Sequence, residues 1–179
     1  MNNGVLVWID LEMTGLDPAK DTILEIATII TDSNLAIIAQ GPSLVIHQAD
    51  AVLDRMEPIV RNLHARSGLT EAVKQSHVSL AEAEQQTFEF IKQHARKNEA
   101  YLAGNSVWQD RSFLVAYMPS IVNYLHYRLL DVSSFKLAIN MWYPHEKNAM
   151  GYKKQDKHRA LDDIKESIEE LKFYRDNFF

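Results

Sequence analysis

The chain lacks cysteine altogether, and several other features that would restrict its function are scarce or absent. Among its 179 residues there are no cysteines, 6 glycines and 5 prolines. Without thiols, a disulfide framework, a thiolate nucleophile and a cysteine-ligated metal are excluded, so any metal must be bound by oxygen or imidazole. No apolar run approaches the roughly 18 residues of a membrane span, and no basic segment precedes the first apolar run. These absences favour a cytoplasmic protein that does not associate with membranes.

The chain also lacks an excess of positive charge. Its formal net charge is −5 at pH 7, and its pI is near 5.8. This balance argues against a large electrostatic surface for long nucleic acid, whereas a small anionic substrate needs only a few local cations. Hydrophobic residues make up 46% of the chain and charged residues 24%, as in ordinary globular proteins. The length predicts a single domain over residues 1–179.

Hydrophobic periodicity predicts an α/β chain whose strands form a mixed sheet. The first three strands are spaced as in an antiparallel meander, and Gly41 and Pro42 predict a kink or bulge in the third. Later strands alternate with helices and should be joined by parallel crossovers. The predicted strands span residues 5–13, 23–32, 36–47, 101–106 and 128–133. The predicted helices span residues 80–97, 110–117, 134–142 and 160–176, with an irregular, partly helical segment over 50–77 and a lysine-rich loop over 147–157.

Two acids close the first strand, in the stretch VLVWIDLEMTGLD of residues 5–17. Because side chains alternate between the faces of a strand, Asp10 and Glu12 point the same way. Neighbouring carboxylates repel each other unless one retains a proton or a cation lies between them. Hard divalent cations such as Mg²⁺ prefer oxygen ligands. The simpler alternative is that both acids lie beyond the strand in water, where such a pair has little consequence.

A third candidate acid, Asp110, occurs in the stretch GNSVWQDRSFL of residues 104–114, near a predicted helix start. An acid in that position also complements the helix dipole, and this is the simpler explanation of Asp110 taken alone.

The last helix opens with further candidates, His158, Asp162 and Asp163. Asp162 has charged neighbours at helical spacing, as on a solvated face. Asp163 lies beside Ala160 and Ser167, which slightly favours it as the acid that reaches inward.

As a set, these residues resemble the DEDDh family of 3′-to-5′ exonucleases. Within that family, the phrases WIDLEMTGLD, EIATIITD, GNSVWQDRSFL, HYRLLDVSS and HRALDDI resemble the oligoribonucleases more than polymerase proofreading subunits, and the likeness covers residues 5–176. The family's H-to-D spacing selects Asp163 over Asp162. The matching motifs are D-x-E at Asp10 and Glu12, N-x-x-x-x-D ending at Asp110, and H-x-x-x-x-D at His158 and Asp163.

The resemblance implies a ribonuclease H-like α/β fold, with a mixed five-stranded sheet flanked by helices. It implies hydrolysis from the 3′ end that releases 5′-mononucleotides. Two divalent ions, Mg²⁺ or Mn²⁺, are expected between the carboxylates, and His158 is expected to act as the general base. A histidine pKa near ~6.5 suits that role, although His158 could instead form only a local hydrogen bond. The expected metal ligands are Asp10, Glu12, Asp110 and Asp163.

The resemblance further implies very short single-stranded RNA as substrate, chiefly 5′-phosphorylated dinucleotides, and a homodimer. Arg128 could equally be a surface residue, and Tyr127 could serve only in packing. The expected substrate contacts are Ser106, Arg128 and Ser133 at the terminal phosphate, Leu16 against the bases, Tyr127 across the dimer, and His64.

One position departs from the family pattern. Relatives often carry a tryptophan for base stacking where this chain has Ile59, so an aromatic contact there is in doubt. Two alternatives stay open, a DNA proofreading-type 3′-to-5′ exonuclease and a non-catalytic nucleic-acid-binding module of the same fold. Loss of an acid or of His158 would have favoured the module, and all five residues are present.

Overall fold

Five strands form one mixed sheet in the computed structural model, which describes residues 4–144 and 159–179. The strands pair in the order β3-β2-β1-β4-β5, antiparallel among the first three and parallel from β1 through β4 to β5. The predicted mixed five-stranded sheet is therefore confirmed. The strands are β1 (Leu6–Met13), β2 (Ile23–Thr31), β3 (Ile37–Val45), β4 (Tyr101–Gly104) and β5 (His126–Asp131).

Helices cover both faces of the sheet. Over the described ranges they are α1 (Asp50–Leu53), α2 (Pro58–Arg66), α3 (Leu69–Gln75), α4 (Leu80–His94), α5 (Val107–Tyr117), α6 (Pro119–Tyr124), α7 (Val132–Trp142) and α8 (Ala160–Phe178).

Alternation along β1 assigns its side chains to two cores. Val7, Ile9 and Leu11 pack with residues of α4, α5 and α6, whereas Leu6 and Trp8 pack with residues of α7 and α8. Because side chains alternate between the two faces of a strand, Asp10 and Glu12 lie on the same face as Leu6 and Trp8. The polar end of β1 therefore faces the start of α8, which packs against β1 and β2.

The bulge predicted in the third strand is confirmed. The pairing of β2 with β3 shifts between Ala27 and Ile29, so that Gly41 and Pro42 together lie opposite a single residue of β2. A side chain at Gly41 would overlap the ring of Phe90 on α4, which explains glycine at this position.

Several predicted boundaries were wrong at the ends of elements. The strand predicted over 128–133 begins two residues earlier and ends at Asp131, because the Asp131 carboxylate caps α7 by accepting from the Ser133 N–H at 2.9 Å. Helix α5 begins at Val107 rather than Asp110, and α4 ends before the extended Ala95. Helix α6 was not predicted.

The predicted loop over 147–157 lies outside the described residues, and a single domain over 1–179 stays a prediction. Within the two described ranges, no helix combines the length and the apolar character needed to cross a membrane.

Candidate active site

Three carboxylates converge at the carboxyl end of β1. Asp10 and Glu12 extend the row of β1 side chains that faces α8, and Asp163 lies in the first turn of α8. Each of the three offers an oxygen atom, and these oxygens all lie within 4.8 Å of one another. Asp163, and not Asp162, joins this group, which is called the carboxylate cluster below.

The start of α8 is anchored beside the cluster by an ion pair between the half-buried Arg159 and the buried Glu25. Glu25 on β2 is 1% exposed and lies opposite Glu12 in the β1–β2 register. The Arg159 guanidinium donates to it twice, from Nη2 at 2.8 Å and from Nε at 3.0 Å. This bidentate geometry fixes the residue before α8 and thereby the first turn that carries Asp163.

Asp110 approaches β1 from the opposite face of the sheet. It lies in the first turn of α5, is buried, and its Oδ1 accepts a hydrogen bond from the Leu11 N–H at 2.9 Å. Pairing of β4 with β1 ends at Trp8, so the Leu11 N–H lies beyond the last β4 partner and is available to Asp110. The backbone between Asp10 and Glu12 is thus fixed by a fourth acid.

Burial and like charge raise the pKa values of two of these acids. The pKa of Glu12 is raised to about 8, chiefly by burial and then by the charges of Asp163, Glu25 and Asp110, while Arg159 opposes the rise. The pKa of Asp110 is raised to about 7, chiefly by burial, against the hydrogen bond from the Leu11 N–H. The site therefore retains protons near neutral pH when no cation neutralises it.

The residues present fit a divalent cation. Carboxylate oxygens are the ligands that Mg²⁺ and Mn²⁺ prefer, and the 4.8 Å cluster is open enough for an ion between its oxygens. The raised pKa of Glu12 is what an assembled cation site shows when its charge is not compensated.

The two predicted site histidines differ in what the structure shows. His64 on α2 is 1% exposed, with Nε2 2.8 Å from the Met13 carbonyl and Nδ1 3.7 Å from Glu12 Oε2. Because a carbonyl only accepts, Nε2 carries the proton and Nδ1 faces the carboxylate. His64 thus packs beneath the cluster, and its substrate contact stays a prediction. His158 lies outside the described residues.

Two of the predicted phosphate contacts lie against each other where β4 and β5 end. Ser106 and Ser133, called the phosphate-end serines below, have their Oγ atoms 3.1 Å apart. The Ser106 N–H donates to Asp131 Oδ1 and to Ser133 Oγ, both at 2.9 Å. Because β4 and β5 are parallel, their carboxyl ends bring these serines to the same edge of the sheet as Asp10 and Glu12.

Arg128 and Tyr127 lie on the exposed edge strand β5. Between Tyr101 and Leu102 the pairing of β4 with β5 shifts, so residues 127 and 128 have no partners in β4. Tyr127 is 72% exposed, and the Arg128 guanidinium carbon lies 5.5 Å from the centre of its ring. The structure thus brings these two side chains together on the edge strand.

Apolar side chains stand exposed around the site. Leu16 follows Gly15, where a side chain would overlap the Asp21 carboxylate. The Leu16 carbonyl accepts a hydrogen bond from Gln109 Nε2 at 2.7 Å. Trp108, next to Gln109, is 62% exposed. Ile59, at the start of α2, is 81% exposed and leaves room for a larger side chain.

Sequence reasoning missed several residues that build the site. Asp131 joins the phosphate-end serines, and Gln109 fixes the turn that presents Leu16. Glu25 and Arg159 anchor α8, and Glu25 did have a signal, since it is the single charge in the otherwise uncharged strand ILEIATIIT. Its partner, 134 residues away, had none.

Known proteins with similar sequences are exonucleases. Residues 7–171 match the model of the RNase T exonuclease family. The oligoribonuclease of Marinobacter nauticus is 53% identical over 180 residues, which cover 100% of this chain and 99% of that protein. The human mitochondrial oligoribonuclease is 51% identical over 174 residues, which cover 97% of this chain and 73% of that protein.

Solved structures with similar folds are also exonucleases. Exonuclease I from Methylocaldum szegediense matches with a TM-score of 0.70 at 20% identity, over 98% of this chain and 41% of that one. The zinc-bound complex of E. coli exonuclease I with single-stranded DNA matches with a TM-score of 0.70 at 17% identity, over 98% and 41%. This chain thus spans about two fifths of those chains. Likeness at these identities shows the fold alone, and it confirms the predicted ribonuclease H-like architecture.

Proposed function

Because this chain belongs to the RNase T exonuclease family and is a 3′-to-5′ exoribonuclease acting on short oligoribonucleotides, we propose that it cleaves chiefly dinucleotides, with two divalent ions as cofactors. The observation that carries this proposal is the convergence of Asp10, Glu12 and Asp163 within 4.8 Å, beside the buried Asp110. The two ions are Mg²⁺ or Mn²⁺, and their ligands are these four acids.

The carboxylates would bind the ions, and neighbouring residues hold the carboxylates in position. Bound divalent ions would supply charge neutralisation at the phosphate and acidify the attacking water. Asp110 holds the β1 backbone through Leu11, and Arg159 holds the start of α8 through Glu25, so the carboxylates are positioned before substrate arrives.

His158 is the proposed general base. It immediately precedes Arg159, whose charge is close enough to Glu12 to lower the pKa of that carboxyl. An imidazole near its ordinary pKa can accept the proton of the attacking water close to neutral pH.

Preference for short RNA is assigned to the far end of the substrate. The phosphate-end serines and Arg128 would bind the 5′-terminal phosphate, the serines by hydrogen bonds and the guanidinium as a bidentate cation. Leu16, Tyr127 and His64 are the remaining proposed substrate contacts. A longer chain could not place its 5′-terminal phosphate at the serines while its 3′-terminal linkage lies at the carboxylates.

A homodimer is proposed on the apolar surface of β5 and α7. Leu137 and Met141 lie one helical turn apart on the same face of α7, and they are 60% and 61% exposed. Tyr127 and Trp142 are 72% and 68% exposed. Exposed aromatic and aliphatic side chains of this size are typical of an interface, and a second copy of the chain is the proposed partner.

The cytoplasm is the proposed location, because the sequence has no apolar run long enough to span a membrane and no basic segment before its first apolar run.

Competition between substrates of different length tests the proposal. The enzyme is incubated with a 5′-phosphorylated dinucleotide, a long single-stranded RNA and the matching deoxydinucleotide, each with Mg²⁺ or Mn²⁺. We expect the ribodinucleotide to be hydrolysed fastest, to 5′-mononucleotides. Equal or faster cleavage of the long strand would contradict the dinucleotide preference, and faster cleavage of the deoxydinucleotide would favour a DNA substrate.

A further inference from the structure

A partly buried hydrogen-bond network joins the phosphate-end serines to the helix that carries Asp163. Asn105, directly after β4, lies at its centre. Its Nδ2 donates to Ser167 Oγ at 3.0 Å and to Glu170 Oε2 at 2.8 Å, while its Oδ1 accepts from Ser133 Oγ at 3.0 Å. Ser167 Oγ in turn donates to the Asp163 carbonyl at 2.8 Å. One amide thus contacts both the phosphate end and the first turns of α8.

The direction of these bonds follows from Glu170, which is 1% exposed. A carboxylate facing an amide accepts, so Asn105 presents its NH₂ group to Glu170 and its oxygen to Ser133. The Ser133 proton is used in that bond, and its lone pairs face Ser106. The Ser106 hydroxyl can therefore turn toward a phosphate without breaking a bond to Asn105, whereas the Ser133 hydroxyl reaches a phosphate by exchanging its bond to Asn105.

The backbone at Ser106 depends on the same network. Ser106 has a φ of 49°, in the left-handed region that a side chain other than glycine or asparagine rarely occupies. Its N–H is held by Asp131 Oδ1 and Ser133 Oγ, both at 2.9 Å. Because Asn105 orients Ser133, it also determines how firmly Ser106 is held.

Glu170 is itself fixed from two helices. The Tyr174 hydroxyl, one turn along α8, donates to Glu170 Oε1 at 2.7 Å, and Lys136 Nζ on α7 lies 3.8 Å from the same oxygen. The carboxylate therefore connects α7, α8 and the segment after β4 at one buried point.

We propose that Asn105 and Glu170 are positioning residues that set the spacing between the phosphate-end serines and the carboxylate cluster, and thereby the enzyme's preference for a 5′-phosphorylated dinucleotide. The proposal rests on the terminal-phosphate contacts given under Proposed function. Both residues act through Ser106, Ser133 and the Asp163 turn, without touching the substrate.

The test compares two substrates that differ only in the terminal phosphate. kcat and KM are measured with a 5′-phosphorylated dinucleotide and with the same dinucleotide lacking that phosphate. For Asn105→Ala we expect kcat/KM on the phosphorylated substrate to fall roughly tenfold or more, with a much smaller change on the other. Tyr174→Phe is the matched control, because it removes a hydrogen bond from Glu170 on the side away from Asn105 and should preserve the preference.

Exchanging the amide of Asn105 and the carboxylate of Glu170 keeps the net charge and should restore the phosphate preference. Asn105→Asp places a carboxylate against Glu170 and should lose the phosphate preference. In the double variant with Glu170→Gln, the new amide at position 170 can donate to the new carboxylate at position 105, which reverses the direction of the wild-type bond. The double variant has the same net charge as the wild type. The double variant should regain most of the preference, and it decides the matter if Asn105→Ala does not fold.

Three outcomes would overturn the proposal. Equal losses on both substrates in Asn105→Ala and Tyr174→Phe would show a structural role only. A wild-type preference that survives in Asn105→Ala and in Asn105→Asp would reject this proposal and leave the terminal-phosphate contacts standing. A wild-type enzyme indifferent to the 5′ phosphate would reject both together.

Discussion

The carboxylate cluster and the phosphate-end serines lie at the same edge of the sheet, but they are held together in opposite ways. The serines are held by hydrogen bonds, from Ser106 to Asp131 and from Ser133 to Asn105. In the cluster the close groups are like charges, and the pKa of Glu12 is raised to about 8. Hydrogen bonds therefore hold the serines in place, whereas the cluster brings charges of the same sign together.

This difference indicates what each region contributes. The cluster is assembled by the packing of β1, α8 and α5 against its own repulsion, so a cation stabilises it strongly when bound. The serines are stabilised by their own network, so their removal should alter the substrate end more than the fold.

Glu12→Gln should inactivate the enzyme while stabilising its metal-free form. We expect activity to fall by more than about 10²-fold, because a proposed metal ligand loses its charge. The pKa of Glu12 is about 8 in the folded protein, against an ordinary value of 4.5. Between those values the folded protein keeps a proton that the unfolded chain has lost, so the wild-type free energy of unfolding should decrease as pH rises through this window.

Urea unfolding of the metal-free proteins from pH 5 to pH 9 checks this prediction. The stability of Glu12→Gln should decrease less than that of the wild type, and its stability should be the higher of the two near pH 8. Glu89→Gln, at an exposed acid on α4, should follow the wild-type curve and keep full activity. Parallel curves for wild type and Glu12→Gln would contradict the origin given for the raised pKa.

Arg159→Ala should be the most destabilising of these changes. It leaves Glu25, which is 1% exposed, as a buried carboxylate without its bidentate partner. We expect the free energy of unfolding to decrease by about 3 kcal/mol. Lys172→Ala, which breaks an exposed pair with Glu169, should change it by less than about 1 kcal/mol. Similar losses in both variants would show that the Glu25 pair does not anchor α8.

Ser133→Ala should affect the substrate end with little effect on the fold. The free energy of unfolding should decrease by only about 1 kcal/mol, while kcat/KM on a 5′-phosphorylated dinucleotide should fall roughly tenfold. Ser112→Ala, which removes a hydroxyl bonded to the Gln109 carbonyl within α5, is the control and should retain wild-type kinetics. Equal kinetic losses in the two variants would count against the phosphate-end assignment.

Ile59→Trp should have the smallest effect and the opposite sign. Ile59 is 81% exposed, so a tryptophan needs no repacking. Stacking on a base contributes about 1–3 kcal/mol, and the lower end of that range predicts a KM for the dinucleotide lower by roughly fivefold. Ile59→Leu should leave KM unchanged. An unaltered KM in Ile59→Trp would show that position 59 does not reach the substrate bases.

Local sequence patterns predicted much of the fold and part of the site. Alternation along a strand placed Asp10 and Glu12 on one face, and the motif spacing chose Asp163 over Asp162, which is the acid found in the cluster. The bulge at Gly41 and Pro42 also follows from a short-range signal.

The residues that connect distant segments could not be predicted in this way. Asn105 reads as a turn former, and its partners Ser167 and Glu170 are 62 and 65 residues away. Arg159 has no local signal, and its role depends on the Glu25 carboxylate that the sheet brings beside it. Such contacts depend on tertiary packing, which periodicity and motif spacing do not contain.

Calorimetric titration of Mn²⁺ into the metal-free enzyme tests the central claim most directly. Repeating it at pH 7 in two buffers of different ionisation enthalpy counts the protons released. With pKa values of about 8 for Glu12 and about 7 for Asp110, we expect two ions per chain and the release of between roughly one and two protons, with little release at pH 9. Binding of a single ion, or binding without proton release at pH 7, would contradict a two-ion site built from these carboxylates.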